Sequence, residues 1–72
     1  MQKHELIELA NARMPFGKYK GTLLLYLRED YLVWMKQKGW PAGKLGRQME
    51  LMYEIKMNGL ENMLRPLIEK NL

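Results

Sequence analysis

The sequence predicts an α+β domain dominated by helices, and three observations lead to this prediction. Apolar residues recur at helical spacing over most of the chain. A proline and two glycines interrupt that spacing within residues 15–21, between two short apolar segments. The chain has 72 residues, so we expect one domain spanning residues 1–72. The predicted order is a short N-terminal helix, a small β-hairpin and two further helical segments, of which the last is long and broken near Gly59.

The N-terminal third of the chain predicts the first helix and the hairpin. Residues 3–12 alternate charged and apolar groups at helical spacing, which favours a short helix. The hairpin is predicted around residues 13–25, because Gly17 and Gly21 permit the backbone angles of a tight turn. An isolated hairpin is only marginally stable in water, so we expect helices to cover one of its faces, with Phe16 anchored in the core.

The next helix is predicted over residues 28–38. Acidic residues begin this segment and lysines end it, an order that complements the helix dipole. Gly39 is well placed as the residue that ends the helix. Its apolar face includes Tyr31 and Trp34, which we expect to cover the hairpin as core residues. The alternative is that these two rings form a stacking platform for a base.

The last helical segment is predicted from Ala42 onward. Its apolar face includes Met49, Met52 and Met63, which we expect to be core residues, although a small domain could also use them to self-associate. The dipeptide Asn58–Gly59 should stop or kink this helix.

The composition restricts the compartment and the class of protein. The chain has no cysteine, which excludes a disulfide framework, a thiolate zinc site and a cysteine nucleophile. Its N-terminus shows no long apolar region, so we predict no secretory signal. The longest apolar run is far shorter than the roughly 20 residues that a membrane span needs. We therefore expect a cytoplasmic protein that does not contact a membrane.

The sequence offers little for catalysis. It contains no serine, Thr22 is its single threonine, and His4 is its single histidine, so both common catalytic triads are excluded. Glu50 and Glu54 lie one helical turn apart and could share a metal, but the apolar pattern turns Glu50 towards solvent. We therefore predict no enzyme activity, no catalytic residue, no metal site and no cofactor.

Positive charge is concentrated in the middle of the chain. Between Arg13 and Arg47 lie eight basic and two acidic residues, so this window carries a net charge of +6. Within it, two lysines flank a tyrosine on the predicted turn, where lysines could contact phosphates and the ring could stack on a base. The candidate nucleic-acid contacts are Lys18, Tyr19, Lys20, Lys36, Lys38, Lys44 and Arg47. The alternative is a solvated surface with scattered lysines.

These features predict a small non-enzymatic binding module that contacts nucleic acid through a basic aromatic turn. The alternative is a protein-interaction or homodimerisation module that does not bind nucleic acid. The first prediction depends on the folded chain bringing its dispersed cations beside an outward-facing Tyr19.

Several motifs resemble those of a known family. They are Met14-Pro15-Phe16-Gly17-Lys18-Tyr19-Lys20-Gly21, then Tyr31-Leu32 with Trp34, Lys44-Leu45-Gly46 and Asn58-Gly59-Leu60. Together they resemble a small bacterial family of unknown function whose members are labelled putative quorum-sensing-regulated virulence factors. The octapeptide is also similar to a motif that follows the catalytic domain in some exonucleases similar to exodeoxyribonuclease X.

The resemblance implies an accessory role beside nucleic acid and transfers no active site. The label describes regulation and not mechanism. One departure is visible, because the family usually has proline where this chain has Arg28. That change removes a preferred helix-start residue and adds a positive charge.

Overall fold

The computed structural model describes residues 3–69. Within that range the chain forms three α-helices and three single-turn 3-10 helices, which we call 3-10 turns. The α-helices are α1 (Lys3–Asn11), α2 (Glu29–Lys38) and α3 (Gly43–Met57). The 3-10 turns are Leu24–Tyr26, Glu61–Met63 and Arg65–Leu67. None of the described helices is long and apolar enough to cross a bilayer.

The helix ends lie where glycine was predicted to place them. Gly39 follows α2 with a φ of 105°, and its N–H donates to Met35 O at 2.9 Å. Gly59 follows α3 with a φ of 67°, and Leu60 N–H donates back to Ile55 O at 2.9 Å. Glycine adopts these positive φ values without the steric cost that other residues incur, so both stops are encoded locally.

One core joins the three helices to the loops. Leucine, methionine and isoleucine side chains from each α-helix, from the 3-10 turn Leu24–Tyr26 and from the connecting loops meet in it. Its buried members are Leu9, Ala10, Met14, Leu24, Leu25, Leu27, Leu32, Met49, Met52, Ile55 and Leu64. The prediction of a core position is confirmed for Met49 and Met52, which are fully buried, and is wrong for Met63, which is 46% exposed.

The predicted β-hairpin around residues 13–25 is wrong, and the domain is all-α rather than α+β over the described residues. The segment folds as a bridged loop, residues 12–24, that carries one antiparallel bridge between Arg13 and Leu23. The bridge cannot extend into a ladder, because α1 ends at Asn11 on one side and a 3-10 turn begins at Leu24 on the other. Pro15 also lacks the N–H that a longer ladder would need.

The bridged loop is nevertheless held by main-chain hydrogen bonds. Met14 N–H donates to Thr22 O at 2.9 Å, and Gly21 N–H donates to Met14 O at 2.8 Å. The Arg13 guanidinium also donates to Gly21 O at 2.6 Å. Met14 points into the core, whereas Phe16 is 49% exposed, so the expectation that Phe16 anchors the core is wrong. The loop therefore presents its tip, residues 16–21, on the surface of the domain.

The side chain of Asn11, at the end of α1, forms hydrogen bonds with the segment after α3. Asn11 Nδ2 donates to Ile7 O at 2.8 Å and to Leu67 O at 3.0 Å. Its Oδ1 accepts from Glu69 N–H at 2.7 Å. One amide group thus satisfies three backbone groups, which holds the last 3-10 turn against the first helix.

Candidate nucleic-acid interface

The tip of the bridged loop meets α2 through aromatic rings. Tyr19 packs edge-on against Tyr31, with ring centroids 4.7 Å apart. Tyr31 in turn stacks on Trp34, one turn further along α2, with centroids 6.0 Å apart and planes 27° apart. These three rings and Asp30 line a shallow cavity of about 310 Å³, which we call the aromatic recess.

Helix geometry explains why part of the recess faces solvent. Leu32 is fully buried, and Trp34, two residues later, lies roughly 200° further around the helix. Trp34 is accordingly 49% exposed, so the expectation of a core position is wrong for this residue. Tyr19 and Tyr31 are half-buried and pack against the core. They form the inner part of the recess, and Trp34 forms its exposed part.

Two lysines lie at the recess with their ammonium groups over aromatic rings. Lys18 Nζ is 5.5 Å from the centroid of the Tyr19 ring. Lys38 Nζ is 4.7 Å from the centroid of the Trp34 ring. Lys20 is exposed on the same loop. Positive charge beside exposed rings is the combination that single-stranded nucleic acid requires, with cations for the phosphates and rings for the bases.

An ion pair stands at the start of α2, next to the recess. Arg28 Nε donates to Asp30 Oδ1 and Arg28 Nη2 to Asp30 Oδ2, both at 3.1 Å. The hydrogen bond from Arg28 holds the pKa of Asp30 below its ordinary value. Asp30 is therefore ionised, and accepts these two hydrogen bonds, at every pH near neutrality. The stability that this pairing adds would be lost only as the pH falls through that lowered pKa.

The structure does not bring Lys36 to the recess. Lys36 and Lys38 are two residues apart and so lie roughly 200° apart around α2. Lys36 Nζ is 4.7 Å from the centroid of the Tyr53 ring on α3. That ring also packs against Trp40, with centroids 5.9 Å apart. Lys36 therefore belongs to the contact between α2 and α3.

Lys44 and Arg47 lie on a third part of the surface. Both line a groove between α1 and α3, together with His4 and Glu5. Lys44 forms a salt bridge with Glu8, which lines the same groove. Because acids of α1 oppose these two cations, their contribution to a positive surface is reduced. The seven residues predicted from the sequence are thus divided among three places, and the recess collects Lys18, Tyr19 and Lys38, with Lys20 on the same loop.

The seven predicted contacts did not include Tyr31, Trp34 or Arg28, although a stacking platform of Tyr31 and Trp34 was the alternative interpretation of those two rings. A signal for the two rings was present, because apolar residues at positions 31, 32, 34 and 35 span more of α2 than one core-facing stripe occupies. For Arg28 no local pattern indicated a role, since its pairing with Asp30 depends on the backbone geometry at the start of the helix.

Comparison with known proteins finds a family and relatives that the chain matches over most of its length. Residues 2–67 match the model of a family described as "Putative quorum-sensing-regulated virulence factor". The chain is 52% identical over 68 residues to "Uncharacterized protein YpeB" of Escherichia coli strain K12, covering 93% of this chain and 94% of that protein. The same identity and coverage hold for YpeB of Escherichia coli O157:H7. No solved structure matches the chain.

Proposed function

The chain belongs to the family of putative quorum-sensing-regulated virulence factors, and because that description names no ligand, we propose from its surface that the domain binds single-stranded nucleic acid through the aromatic recess. The match over residues 2–67 agrees with the resemblance that the octapeptide and the later motifs indicated. The observation that carries the proposal is Trp34, a half-exposed indole stacked on Tyr31 with a lysine beside it.

A single strand fits the recess better than a duplex. Bases of a single strand are unpaired and can leave their neighbours to stack on an aromatic side chain. Bases of a duplex are stacked on each other and present only their edges. The recess offers the exposed part of the Trp34 side chain, together with lysines for the neighbouring phosphates. In this proposal the domain binds nucleic acid and catalyses no reaction. Its cytoplasmic location stays a prediction.

We expect fluorescently labelled oligo(dT) to bind with an affinity that falls as salt rises. If Lys18, Lys20 and Lys38 each neutralise one phosphate, the slope of log K against log salt should be about −2, since each contact on a single strand contributes about −0.7. Raising the salt from 50 to 200 mM would then weaken binding by about 20-fold. Fluorescence anisotropy measures this, and a hairpin duplex of the same length should bind more weakly.

The chain offers a matched control for this titration. The double variant Lys18→Gln, Lys20→Gln should reduce the slope to about −0.7, because one phosphate contact remains. The double variant Lys44→Gln, Arg47→Gln also removes two charges, but from the groove between α1 and α3, and should leave the slope unchanged. Equal losses in both variants, or no binding at 50 mM salt, would contradict the proposal.

The second candidate is a homodimerisation module, and a different part of the surface favours it. Met57, Leu60 and Met63 are 42%, 50% and 46% exposed at the end of α3 and in the turn that follows. A contiguous apolar patch is typical of a contact surface, and these three exposed side chains lie within seven residues of the sequence. Sedimentation of the protein alone, run beside the titration, separates the two candidates. A concentration-dependent dimer together with no oligonucleotide binding would select the second.

A further inference from the structure

The Arg28–Asp30 pair leaves one edge of the guanidinium available. The guanidinium carries five N–H donors in a plane, and Asp30 accepts from Nε and from one hydrogen of Nη2. Three N–H groups remain, and the two on the outer edge, one from Nη1 and one from Nη2, are parallel. Asp30 therefore fixes the orientation of a planar fork that can donate two hydrogen bonds at once.

The carboxylate that orients this fork belongs to the aromatic recess. Asp30 lines the recess together with Tyr19, Tyr31 and Trp34. The side chains of Arg28 and Asp30 are 71% and 68% exposed, so a ligand can reach both. A base that stacks on a ring of the recess would therefore place its edge near the free N–H groups of Arg28.

The fork distinguishes guanine from adenine. Guanine presents two adjacent acceptors, O6 and N7, to which arginine donates two hydrogen bonds in one plane. Adenine presents N7 beside an N6 amino donor, which would oppose the second N–H of the fork. A phosphate also offers adjacent acceptors, but the pair formed by Arg28 and Asp30 has no net charge, and the carboxylate repels an anion. The geometry therefore favours a neutral acceptor pair over phosphate.

We propose that Arg28, oriented by Asp30, makes the aromatic recess prefer guanine over adenine in a single strand. This inference rests on the proposed function, because it requires a base to stack in the recess. Arg28 would be the residue that contacts the base, and Asp30 the positioning residue. The preference should be on the order of tenfold over adenine at the same position, which is within the range that one bidentate arginine–guanine contact provides.

The test uses short oligo(dT) strands that carry one central substitution. We expect a strand with central dG to bind about tenfold more tightly than a strand with dA. A strand with 7-deaza-dG, which lacks the N7 acceptor, should bind like the dA strand. Arg28→Lys keeps the charge but removes the fork, so it should reduce the ratio of the dG affinity to the dA affinity to about one.

Asp30→Asn gives a second readout that a purely structural role would not change. It removes a negative charge beside the recess, so the affinity for plain oligo(dT) should rise, while the preference for dG should fall as the fork loses its orientation. Surface ion pairs contribute little to stability, so both variants should fold. Circular dichroism provides the control for folding.

The outcomes separate this inference from the proposed function. If no strand binds, the proposed function itself fails. If all strands bind equally, the proposed function stands and the guanine preference is refuted. A preference for dG that persists with 7-deaza-dG or in Arg28→Lys would also overturn the role of Arg28, because it would not depend on N7 or on the fork.

Discussion

Replacement of Gly46 with alanine is expected to lower the free energy of unfolding by about 3 kcal/mol, the upper end of the usual cost of overpacking. Gly46 lies in α3, and a Cβ built there would be 2.9 Å from Pro41 C and closer still to Pro41 O. Those atoms are backbone and cannot rotate away as a side chain could. The loop that joins α2 to α3 would have to move, and with it the packing between the two helices.

The sign of the change in the free energy of unfolding shows whether packing or helix propensity dominates at this position. Alanine is a better helix former than glycine by about 1 kcal/mol, so propensity alone would make the variant more stable. Urea denaturation followed by circular dichroism measures the difference. Glu50→Ala, at an exposed position of the same helix, is the control and should change stability by less than about 0.5 kcal/mol. A Gly46→Ala variant as stable as the parent would show that the loop does not contact α3 as described.

Trp34→Ala should weaken the binding of oligo(dT) by about 5- to 150-fold, because stacking of one base on an aromatic side chain contributes about 1–3 kcal/mol. The fold should be retained, since Trp34 is half-exposed and lies on the side of α2 away from the buried Leu32. Anisotropy at 50 mM salt measures the affinity, and urea denaturation confirms that the variant is folded.

Tyr26 provides the matched control for Trp34. It is an aromatic residue that is 57% exposed, and it belongs to the 3-10 turn Leu24–Tyr26 rather than to the aromatic recess. Tyr26→Ala should leave the affinity for oligo(dT) unchanged. Equal losses in the two variants would mean that exposed rings bind the strand wherever they lie, and would contradict binding at the aromatic recess.

The helices were predictable because their signals are local. Gly39 and the dipeptide Asn58–Gly59 end α2 and α3 where the sequence indicated, since a positive φ at glycine needs no information from distant residues. The fold of the bridged loop was not predictable in the same way. Its turn residues were identified correctly, but the length of a β-ladder depends on the backbone conformation of the flanking residues. Leu24 begins a 3-10 turn instead of continuing a strand.

The candidate site could be predicted only in part, for a related reason. The lysines and the tyrosine of the loop tip are adjacent in sequence, so their proximity follows from the turn. Whether Trp34 faces the core or solvent depends on which side of α2 the rest of the chain covers, and the wide apolar face of α2 does not decide this. The pairing of Lys44 with Glu8 likewise depends on how α1 lies against α3, which no spacing within either helix indicates.

The fluorescence emission of Trp34 reports whether a single strand binds at the aromatic recess. In the variant Trp40→Phe, Trp34 is the single tryptophan of the chain. Oligo(dT) should quench its fluorescence in a saturable manner, with a midpoint that shifts with salt as the anisotropy does, because a base stacked on the indole quenches it. If anisotropy shows binding while the emission of Trp34 stays constant, the strand binds elsewhere and the account is contradicted.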